Sequence, residues 1–412
     1  MRATPARDIV IVGAGILGAA IAWQLGRLGQ GQRVLLVDRS LPMAGSTSYA
    51  AALVTLLRRD ATQIRMAQET LAAIAYFTQF LPEAVGHHPV GSLHVVPAHL
   101  SEVFSDLEAI AAHLGVRMRW VTPSQAQARA PWLHIPQGSR VLHVLDDCYV
   151  DPYQLGMAYL REAQRAGVQL ALQAHVTKLC TRDGAIVGVE TDRGETIEAP
   201  TVVLAAGPWT NTLAFAAGVP LPMAAVRSQY WITAESASVT RDGAIVFLPE
   251  IRAYLRPEVG GLLFGLRESR SAVVDARSLP ADLSGFAFNP EDSDGWDSLI
   301  VGAPALSKYW PGFAEAQICH YVNGPSNYTL DGQLVVGPVP KIKGLWVASG
   351  CNGSGITFSA GIGRLVSEQI LGTTPTYVEG TPMAPQRCGA FDPFSPNFMA
   401  ACAAARASKS NG

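Results

Sequence analysis

The chain has 412 residues, a formal net charge of -2 at pH 7 and a hydrophobic fraction of 49%. Its length exceeds what one compact core usually holds, so we expect two domains. The near-neutral charge, without runs of like charge, argues against a nucleic-acid surface or a basic membrane patch and favours a small-molecule partner. The six cysteines show no metal-like spacing, which predicts no bound metal and reduced thiols in a cytoplasmic protein.

The first segment, residues 8–25, predicts a strand, a glycine turn and a helix. Gly13 permits the tight turn, Gly15 lets a pyrophosphate approach the backbone, and Gly18 lets the helix lie close to the strand. The next apolar strand ends in Asp38, where a carboxylate can accept hydrogen bonds from an adenosine ribose. Together these features indicate a dinucleotide-binding unit, with a glycine turn that binds nothing as the alternative.

A second alternative is a membrane helix over residues 9–28. The three glycines at its centre, followed by Gln24, Gly26 and Arg27, argue against it. We therefore expect no transmembrane segment. The first strand is also expected within eight residues of the start, without the charged and apolar pattern of a secretion leader, so we do not expect export.

The next elements alternate between helix and strand. Small and hydroxylated residues at 44–55 predict a loop that lies along a cofactor, and apolar spacing predicts a helix over 62–80. A strand at 91–98 and a helix at 101–114 follow. Asp151 and Pro152 then mark the start of another helix.

The later part of the chain contains two buried apolar runs, then an antiparallel region. Residues 175–179 and 199–211 predict strands of the nucleotide-binding sheet. Short alternating segments between 227 and 322, separated by glycine and proline turns, predict an antiparallel sheet with one wet face. A glycine loop then leads into a helix at 355–370, whose free N–H groups could meet an electron-rich ligand. The tail from 373 is expected to wrap the surface and then become disordered.

Five motifs together resemble the D-amino-acid oxidase superfamily of flavoproteins, which includes sarcosine oxidase, glycine oxidase and the dimethylglycine and sarcosine dehydrogenases. They are the glycine turn with Asp38, GSTSYAA, VVLAAGPW, YLRPEVGG, and NGPSNYTLDGQLVVGP followed by GLWVASGCNGSGI. The resemblance implies bound FAD, which takes a hydride from the carbon beside an amine nitrogen and leaves an imine that water hydrolyses. Electrons then pass to oxygen, or to a partner protein or quinone.

The resemblance also implies an α/β fold, with a Rossmann-like FAD-binding domain of the glutathione-reductase type and an inserted α+β substrate domain built on an antiparallel sheet. We predict that residues 1–84, 146–222 and 331–376 form the FAD-binding domain, 85–145 and 223–330 the substrate-binding domain, and 377–412 a C-terminal tail. The residues predicted to bind the cofactor are Gly13, Gly15, Ile16, Leu17, Gly18, Asp38, Arg39, Ser46, Thr47, Ala51, Ala52, Val176, Ala206, Gly207, Trp209, Gly350, Asn352, Gly353, Ser354, Gly355, Ile356 and Thr357.

Several departures from the family pattern bear on the chemistry. In the dehydrogenase branch a histidine of the GSTWH loop carries flavin covalently, whereas Ser48 and Tyr49 stand at these positions, so we expect non-covalent FAD. Cys319, near the flavin-linking cysteine of sarcosine oxidase, is interpreted as a buried strand thiol. Leu263 and Thr357 replace two lysines of sarcosine oxidase, one that assists reaction with oxygen and one that holds the substrate carboxylate.

Four residues are candidates for substrate contact or catalysis. Strand alternation places Tyr254 and Arg256 on one face, which would contact substrate if it faces the flavin and would be a solvated face otherwise. Arg58 follows the cofactor loop and is either a carboxylate ligand or surface charge. His320 is either an acid–base group or a structural residue.

The sequence therefore predicts an FAD-dependent oxidoreductase that oxidises the C–N bond of an amino acid or an N-alkylated amine. Two alternatives stay open. The chain could be the flavin subunit of a larger amino- or imino-acid dehydrogenase, or a flavin-binding scaffold without turnover.

Overall fold

The computed structural model describes residues 7–80, 85–292, 294–375 and 377–408. In chain order, its α-helices are α1 (Ile16–Arg27), α2 (Ala61–Phe80), α3 (Ser101–His113), α4 (Pro123–Gln127), α5 (Pro152–Arg165), α6 (Thr210–Ala216), α7 (Trp296–Leu306), α8 (Gly355–Ile370) and α9 (Pro396–Ser408). Its strands are β1 (Ile9–Val12), β2 (Val34–Val37), β3 (Leu53–Val54), β4 (Ser92–Val96), β5 (Met118–Val121), β6 (Arg140–Val144), β7 (Cys148–Tyr149), β8 (Gln169–Ala171), β9 (Val176–Arg182), β10 (Ala185–Thr191), β11 (Thr196–Glu198), β12 (Thr201–Leu204), β13 (Met223–Thr233), β14 (Ile245–Leu248), β15 (Ala253–Glu258), β16 (Gly261–Leu266), β17 (Val273–Val274), β18 (Ile318–Thr329), β19 (Val335–Pro338) and β20 (Leu345–Ser349).

The first sheet has the strand order β19-β20-β12-β1-β2-β8 and is parallel except for β19. Its strands are apolar along their whole length because both faces are covered. Alternate residues such as Ile11 and Leu36 pack against α1, α2, α5 and α8, while Val10 and Leu35 pack against α6 and the small sheet β11-β10-β9. The carboxyl ends of β1, β2, β12 and β20 consequently lie along one edge, where ligands of such sheets bind.

The second sheet has the order β17-β13-β16-β15-β14-β4-β6-β5, with β18 paired to β13, and is antiparallel except where β14 meets β4. On β15, the alternate residues Ala253 and Leu255 pack into a core with Trp231 and Phe264. The opposite face of β15 carries Tyr254 and is turned toward the cavity described below. The predicted α/β fold with an antiparallel second sheet is thus the one observed.

Two expectations about the elements were wrong. Residues 175–179 do not join the parallel sheet, because β9 pairs with β10 in the small antiparallel sheet and exposes much of its length. The tail does not become disordered after residue 373: α9 is helical and buries Cys402 and Ala403 against β13 and β18. Residues 409–412 lie outside the described part of the chain.

The proposed division into a discontinuous FAD-binding domain and an inserted substrate domain stays a prediction. Across the described ranges, no helix combines the length and apolar character that crossing a membrane requires.

Candidate flavin and substrate cavity

A cavity of about 500 Å³ lies at the carboxyl edge of the parallel sheet and is also bordered by β13, β15, β16 and β18. The parallel strands bring the glycine turn, Asp38, the segment after β12 and the final glycine loop to its wall. The antiparallel strands contribute Tyr230, Tyr254 and Tyr328. A cavity with one polar, glycine-rich end and one aromatic end suits a dinucleotide with a reactive ring.

The glycine turn has the geometry that the sequence predicted. Gly13 has φ +109°, and a Cβ there would lie 2.4 Å from the carbonyl oxygen of Ala205. A Cβ on Gly18 would lie 1.9 Å from the carbonyl oxygen of Gly13, so α1 approaches the turn closely. Gly15 differs from both, since a Cβ there would meet only Thr47 Oγ1, at 3.3 Å. Its open side faces the cavity, which leaves room for a pyrophosphate.

Asp38 reaches the same end of the cavity from β2. Its Oδ2 accepts a hydrogen bond from the Ala14 N–H at 2.6 Å, and its Oδ1 accepts one from the Ser40 N–H at 2.8 Å. Burial raises the pKa of Asp38, while these two hydrogen bonds and the charge of Arg39 oppose the rise. The carboxylate is therefore held in place with lone pairs left for a ribose hydroxyl.

The loop at residues 44–55, the cofactor loop, follows β2 and closes over the glycine turn. Thr47 Oγ1 accepts a hydrogen bond from the Ile16 N–H at 3.1 Å, and Ser46 donates to the carbonyl of Pro325. Arg39 stacks on Trp209 with its guanidinium carbon 3.6 Å from the ring centre. The buried Nε1–H of Trp209, which lines the cavity, has no hydrogen-bond partner among the described residues. Both the Trp209 N–H without a partner and the glycine turn at this end of the cavity are consistent with a bound dinucleotide.

Most residues predicted to bind the cofactor line this cavity. They are Gly13, Gly15, Ile16, Leu17, Asp38, Arg39, Ser46, Thr47, Ala51, Ala52, Val176, Ala206, Gly207, Trp209, Gly350, Gly353, Ser354, Gly355, Ile356 and Thr357. Gly18 lies behind the turn. Asn352 also lies behind the wall, where its Oδ1 accepts the Thr329 N–H at 2.9 Å and its Nδ2 donates to Gly332. Asn352 thus joins β18 to the glycine loop and is not a cavity-lining group.

Three arginines line the cavity away from Arg39: Arg58, Arg267 and Arg406. Burial lowers the pKa of Arg58 to about 10, with the charge of Asp147 opposing the shift and the charge of Arg267 adding to it. Burial likewise lowers the pKa of Arg267 to about 10, with the charge of Arg406 adding to the effect. Arg58 and Arg267 remain cations at neutral pH, and Arg267 lies near enough to each of the other two arginines for their charges to repel.

The acidic residues in the described cavity wall are Asp38 and Asp282, and both interact with Arg39. The acidic side chains near the arginines at the other end lie behind the wall, since Asp147 acts on Arg58 and Glu268 lies 3.6 Å from Arg406. Tyr254 and Tyr328 stand beside Arg267. Burial raises the pKa of Tyr254, so its hydroxyl stays protonated and can donate a hydrogen bond. This end can hold an anionic, partly apolar molecule.

Two of the four candidate catalytic residues do not reach this wall. The guanidinium of Arg256 pairs with Glu258 and donates to the carbonyl oxygens of Ala51, at 3.0 Å, and Pro257, at 2.9 Å. It supports the cofactor loop, and the expected contact with a substrate carboxylate is corrected accordingly. His320 is exposed on β18, as is Cys319, which is therefore not the buried thiol that we expected.

Arg58 belongs to a buried polar network. Asp147 accepts hydrogen bonds from the Leu56 N–H at 2.8 Å and from the Ser92 hydroxyl at 2.6 Å, and the Ser92 hydroxyl lies 3.1 Å from His94 Nε2. Burial raises the pKa of Asp147 to about 7, against these hydrogen bonds and the charge of Arg58. Burial and Arg58 lower the pKa of His94 to about 3, so this imidazole is neutral.

This network predicts a pH-dependent stability. An unfolded aspartate titrates near about 4, so between about pH 4 and pH 7 folded Asp147 keeps a proton that the unfolded chain has lost. The contribution of Asp147 to the free energy of unfolding should therefore fall by a few kcal/mol as pH rises through this window, and no further above it. His94, which folding holds neutral, contributes in the opposite sense, so the informative quantity is the difference between variant and parent. Thermal denaturation from pH 4 to 8 should show Asp147→Asn gaining stability relative to the parent as pH rises to 7. Asp106→Asn, at an exposed position on α3, serves as the control, and equal slopes in all three proteins would contradict the assignment.

Sequence reasoning missed Arg267 and Arg406. Arg267 directly follows β16, and counting in twos from Leu263 and Gly265 places it on the face that carries Tyr254 across the hairpin. That signal was available. Arg406 sits in α9, an alanine-rich helix without a cavity signature in its sequence, and only the packing of α9 on β13 and β18 brings it to the site.

A dinucleotide cradle at the edge of a parallel sheet, opening onto an antiparallel sheet with cations and tyrosines, defines a flavin-dependent oxidoreductase. The chain belongs to the DAO family of FAD dependent oxidoreductases, whose model matches residues 8–369. Its cofactor is accordingly FAD.

Individual relatives agree with this family. The chain is 31% identical over 375 residues to 4-methylaminobutanoate oxidase (formaldehyde-forming) of Paenarthrobacter nicotinovorans, with 89% of this chain and 44% of that protein covered. It is 29% identical to human mitochondrial dimethylglycine dehydrogenase, with 90% and 43% covered. It thus spans less than half the length of these two relatives. Among solved structures, L-proline dehydrogenase from P. horikoshii superposes with a TM-score of 0.80 at 22% identity, covering 93% of this chain and 98% of that one, which shows the shared fold.

Proposed function

We propose that the chain catalyses FAD-dependent oxidation of a C–N bond in an amino acid or N-alkylated amine that carries a carboxylate. The observation that carries this proposal is the group of three arginines at the end of the cavity away from Asp38. The names of the two curated relatives point the same way, since 4-methylaminobutanoate and dimethylglycine are both methylated amines with a carboxylate.

Bound FAD would supply the acceptor for a hydride from the carbon beside the amine nitrogen, and the glycine turn with Asp38 would hold it. The chain's own residues supply position. Arg267 binds the substrate carboxylate, and Tyr254 and Tyr328 form the aromatic wall beside it. Arg58, in the loop between β3 and α2, adds positive charge. A planar guanidinium can hold a carboxylate with two parallel hydrogen bonds, which fixes the orientation of the amine. A substrate that arrives with a neutral amine needs no protein base.

Anaerobic reduction of the bound flavin tests the proposal. A panel of N-methylated amino acids and unmethylated D- and L-amino acids should include at least one that bleaches the flavin within seconds. Matched amines in which an amide replaces the carboxylate should bleach it far more slowly. If no amine of the panel reduces the flavin, the scaffold alternative explains the chain better than an enzyme does.

We propose that the reduced enzyme passes its electrons to a quinone or a partner protein and not to oxygen. Leu263 is buried on β16 opposite Arg256, where a lysine assists oxygen in sarcosine oxidase. Without a cation there, the reduced enzyme should reoxidise slowly in air and much faster with an artificial dye, measured by stopped-flow return of the flavin colour. Rapid turnover with stoichiometric peroxide would contradict this choice, and would make the chain an oxidase.

FAD should be held without a covalent bond. Tyr49 stands at the position of the linking histidine, and its hydroxyl donates to the carbonyl of Leu283 at 3.0 Å. Acid precipitation should leave a colourless pellet and a yellow supernatant. Cys351 lines the cavity whereas Cys319 is exposed on β18. A yellow pellet that turned colourless in Cys351→Ser would therefore identify a thiol linkage instead.

We also propose a cytoplasmic location. The six cysteines, all within the described part of the chain, form no disulfide with one another, which is typical of a reducing compartment. Cell fractionation with an antibody against the chain tests this.

A further inference from the structure

The helix α9 lies beyond the region that the family model matches, yet it forms part of the cavity wall. Its apolar side packs Cys402 and Ala403 against Ala224, Val226 and Tyr328. Near its end, the Ala407 carbonyl accepts a hydrogen bond from Arg252. These contacts hold α9 against β13 and β18 and bring the buried side chain of Arg406 to the cavity.

The surroundings of Arg406 carry more positive than negative charge. Its Nη1 donates to Ser271 Oγ at 2.6 Å and lies 3.6 Å from Glu268 Oε2. The same Glu268 forms a close ion pair with Arg227, so one carboxylate serves two buried guanidinium groups. Arg406 Nε is buried and has no hydrogen-bond partner among the described residues. Burying a charge without full compensation is costly, so an anion bound here would be stabilised.

We propose that Arg406 forms a second anion subsite, and that the enzyme prefers a substrate with two acidic groups, an N-alkylated amino dicarboxylic acid. This inference rests on the proposed function and names its substrate class. One carboxylate would be held by Arg267 and the other by Arg406, so that α9 selects the substrate by charge. A substrate with only one carboxylate would leave Arg406 with only its contacts to Ser271 and the shared Glu268.

Dead-end ligands test the subsite independently of turnover. Succinate, glutarate and adipate, each compared with its monoamide, are titrated into the FAD-loaded protein, and binding is followed by the change in the flavin spectrum. The amide has nearly the shape of the acid without its charge. At least one diacid should bind ten- to a hundredfold more tightly than its monoamide, as expected for a buried charge-assisted contact.

Arg406→Met should bring this ratio close to one, and Arg406→Lys should restore part of it, because lysine keeps the charge and loses the planar fork. Arg270→Met, at an exposed position, is the matched control and should keep the parental ratio. The inference is overturned if the parent binds diacid and monoamide equally. It is also overturned if Arg406→Met weakens both ligands by the same factor, which would make Arg406 a structural residue.

The two proposals fail in different ways. If no amine reduces the flavin but diacids still bind through Arg406, the anion subsite stands and the proposed reaction falls. If N-methylated monocarboxylic amines reduce the flavin as efficiently as N-methylaspartate and N-methylglutamate, the reaction stands and the second subsite falls.

Discussion

Gly15→Val should purify as a folded protein almost free of FAD. Gly15 has an ordinary backbone conformation, φ -74° and ψ -178°, so valine imposes no strain of the kind that it would at Gly13. In the absence of cofactor the new Cβ meets only Thr47 Oγ1, at 3.3 Å. The cost arises when the pyrophosphate approaches, because the side chain occupies the space at the N-terminus of α1 that the phosphate needs. We expect an affinity loss of more than about a hundredfold, equivalent to about 3 kcal/mol.

Two measurements check this expectation. The ratio of flavin absorbance to protein absorbance reports bound FAD, and thermal denaturation of the FAD-free forms of parent and variant reports the fold. Gly389→Val is the control, since a Cβ at this exposed glycine meets no atom within 4 Å. A fully yellow Gly15→Val protein would show that the pyrophosphate does not pass this turn.

Arg267→Met should retain FAD and lose most of its affinity for carboxylate ligands. Methionine keeps an unbranched apolar stem and removes the guanidinium that stands between Arg58 and Arg406. A charge-assisted hydrogen bond contributes about 1.5–3 kcal/mol, so the dissociation constant should rise by about ten- to a hundredfold. The limiting rate of flavin reduction should also fall if a looser carboxylate lets the amine move away from the reacting position.

Two further variants serve as controls: Arg267→Lys keeps the positive charge, and Arg270→Met removes an exposed one. The lysine variant should recover only part of the affinity because a single ammonium cannot reproduce the paired contact. The exposed Arg270 should contribute little, since surface charges are screened by solvent. If Arg267→Met binds acidic ligands as tightly as the parent, the carboxylate is held elsewhere and Arg58 becomes the first candidate.

The residues at the cofactor-binding end of the cavity could be predicted from the sequence, because most of the constraints on them are local. The positive φ of Gly13 belongs to the turn itself, Gly18 packs on that turn, and Asp38 follows from the length of one helix and one strand. The close approach of Ala205 to Gly13 comes from a distant strand and adds to a requirement that the turn already sets. The strand-and-turn pattern of β15 and β16 was also readable, and it correctly placed Tyr254 on the cavity face.

The substrate end depends on contacts between distant segments, which the sequence does not display. Arg256 shares the face of Tyr254, yet its place opposite Leu263 sets it beside Glu258 and the Ala51 carbonyl, where its donors are already used. Strand alternation predicts the face of a residue and not its partners. Arg406 lies about 140 residues from Arg267 along the chain, and only tertiary packing makes the two neighbours.

The packing of α9 against β13 and β18 also affects how the protein should be produced. A recombinant version that stopped at residue 369, the end of the family match, would uncover Ala224, Val226 and Tyr328. An apolar surface of this kind promotes self-association, so such a version should precipitate or form soluble aggregates on size-exclusion chromatography. An affinity tag is better placed before residue 7 than directly after α9, because α9 carries Arg406 in the cavity wall.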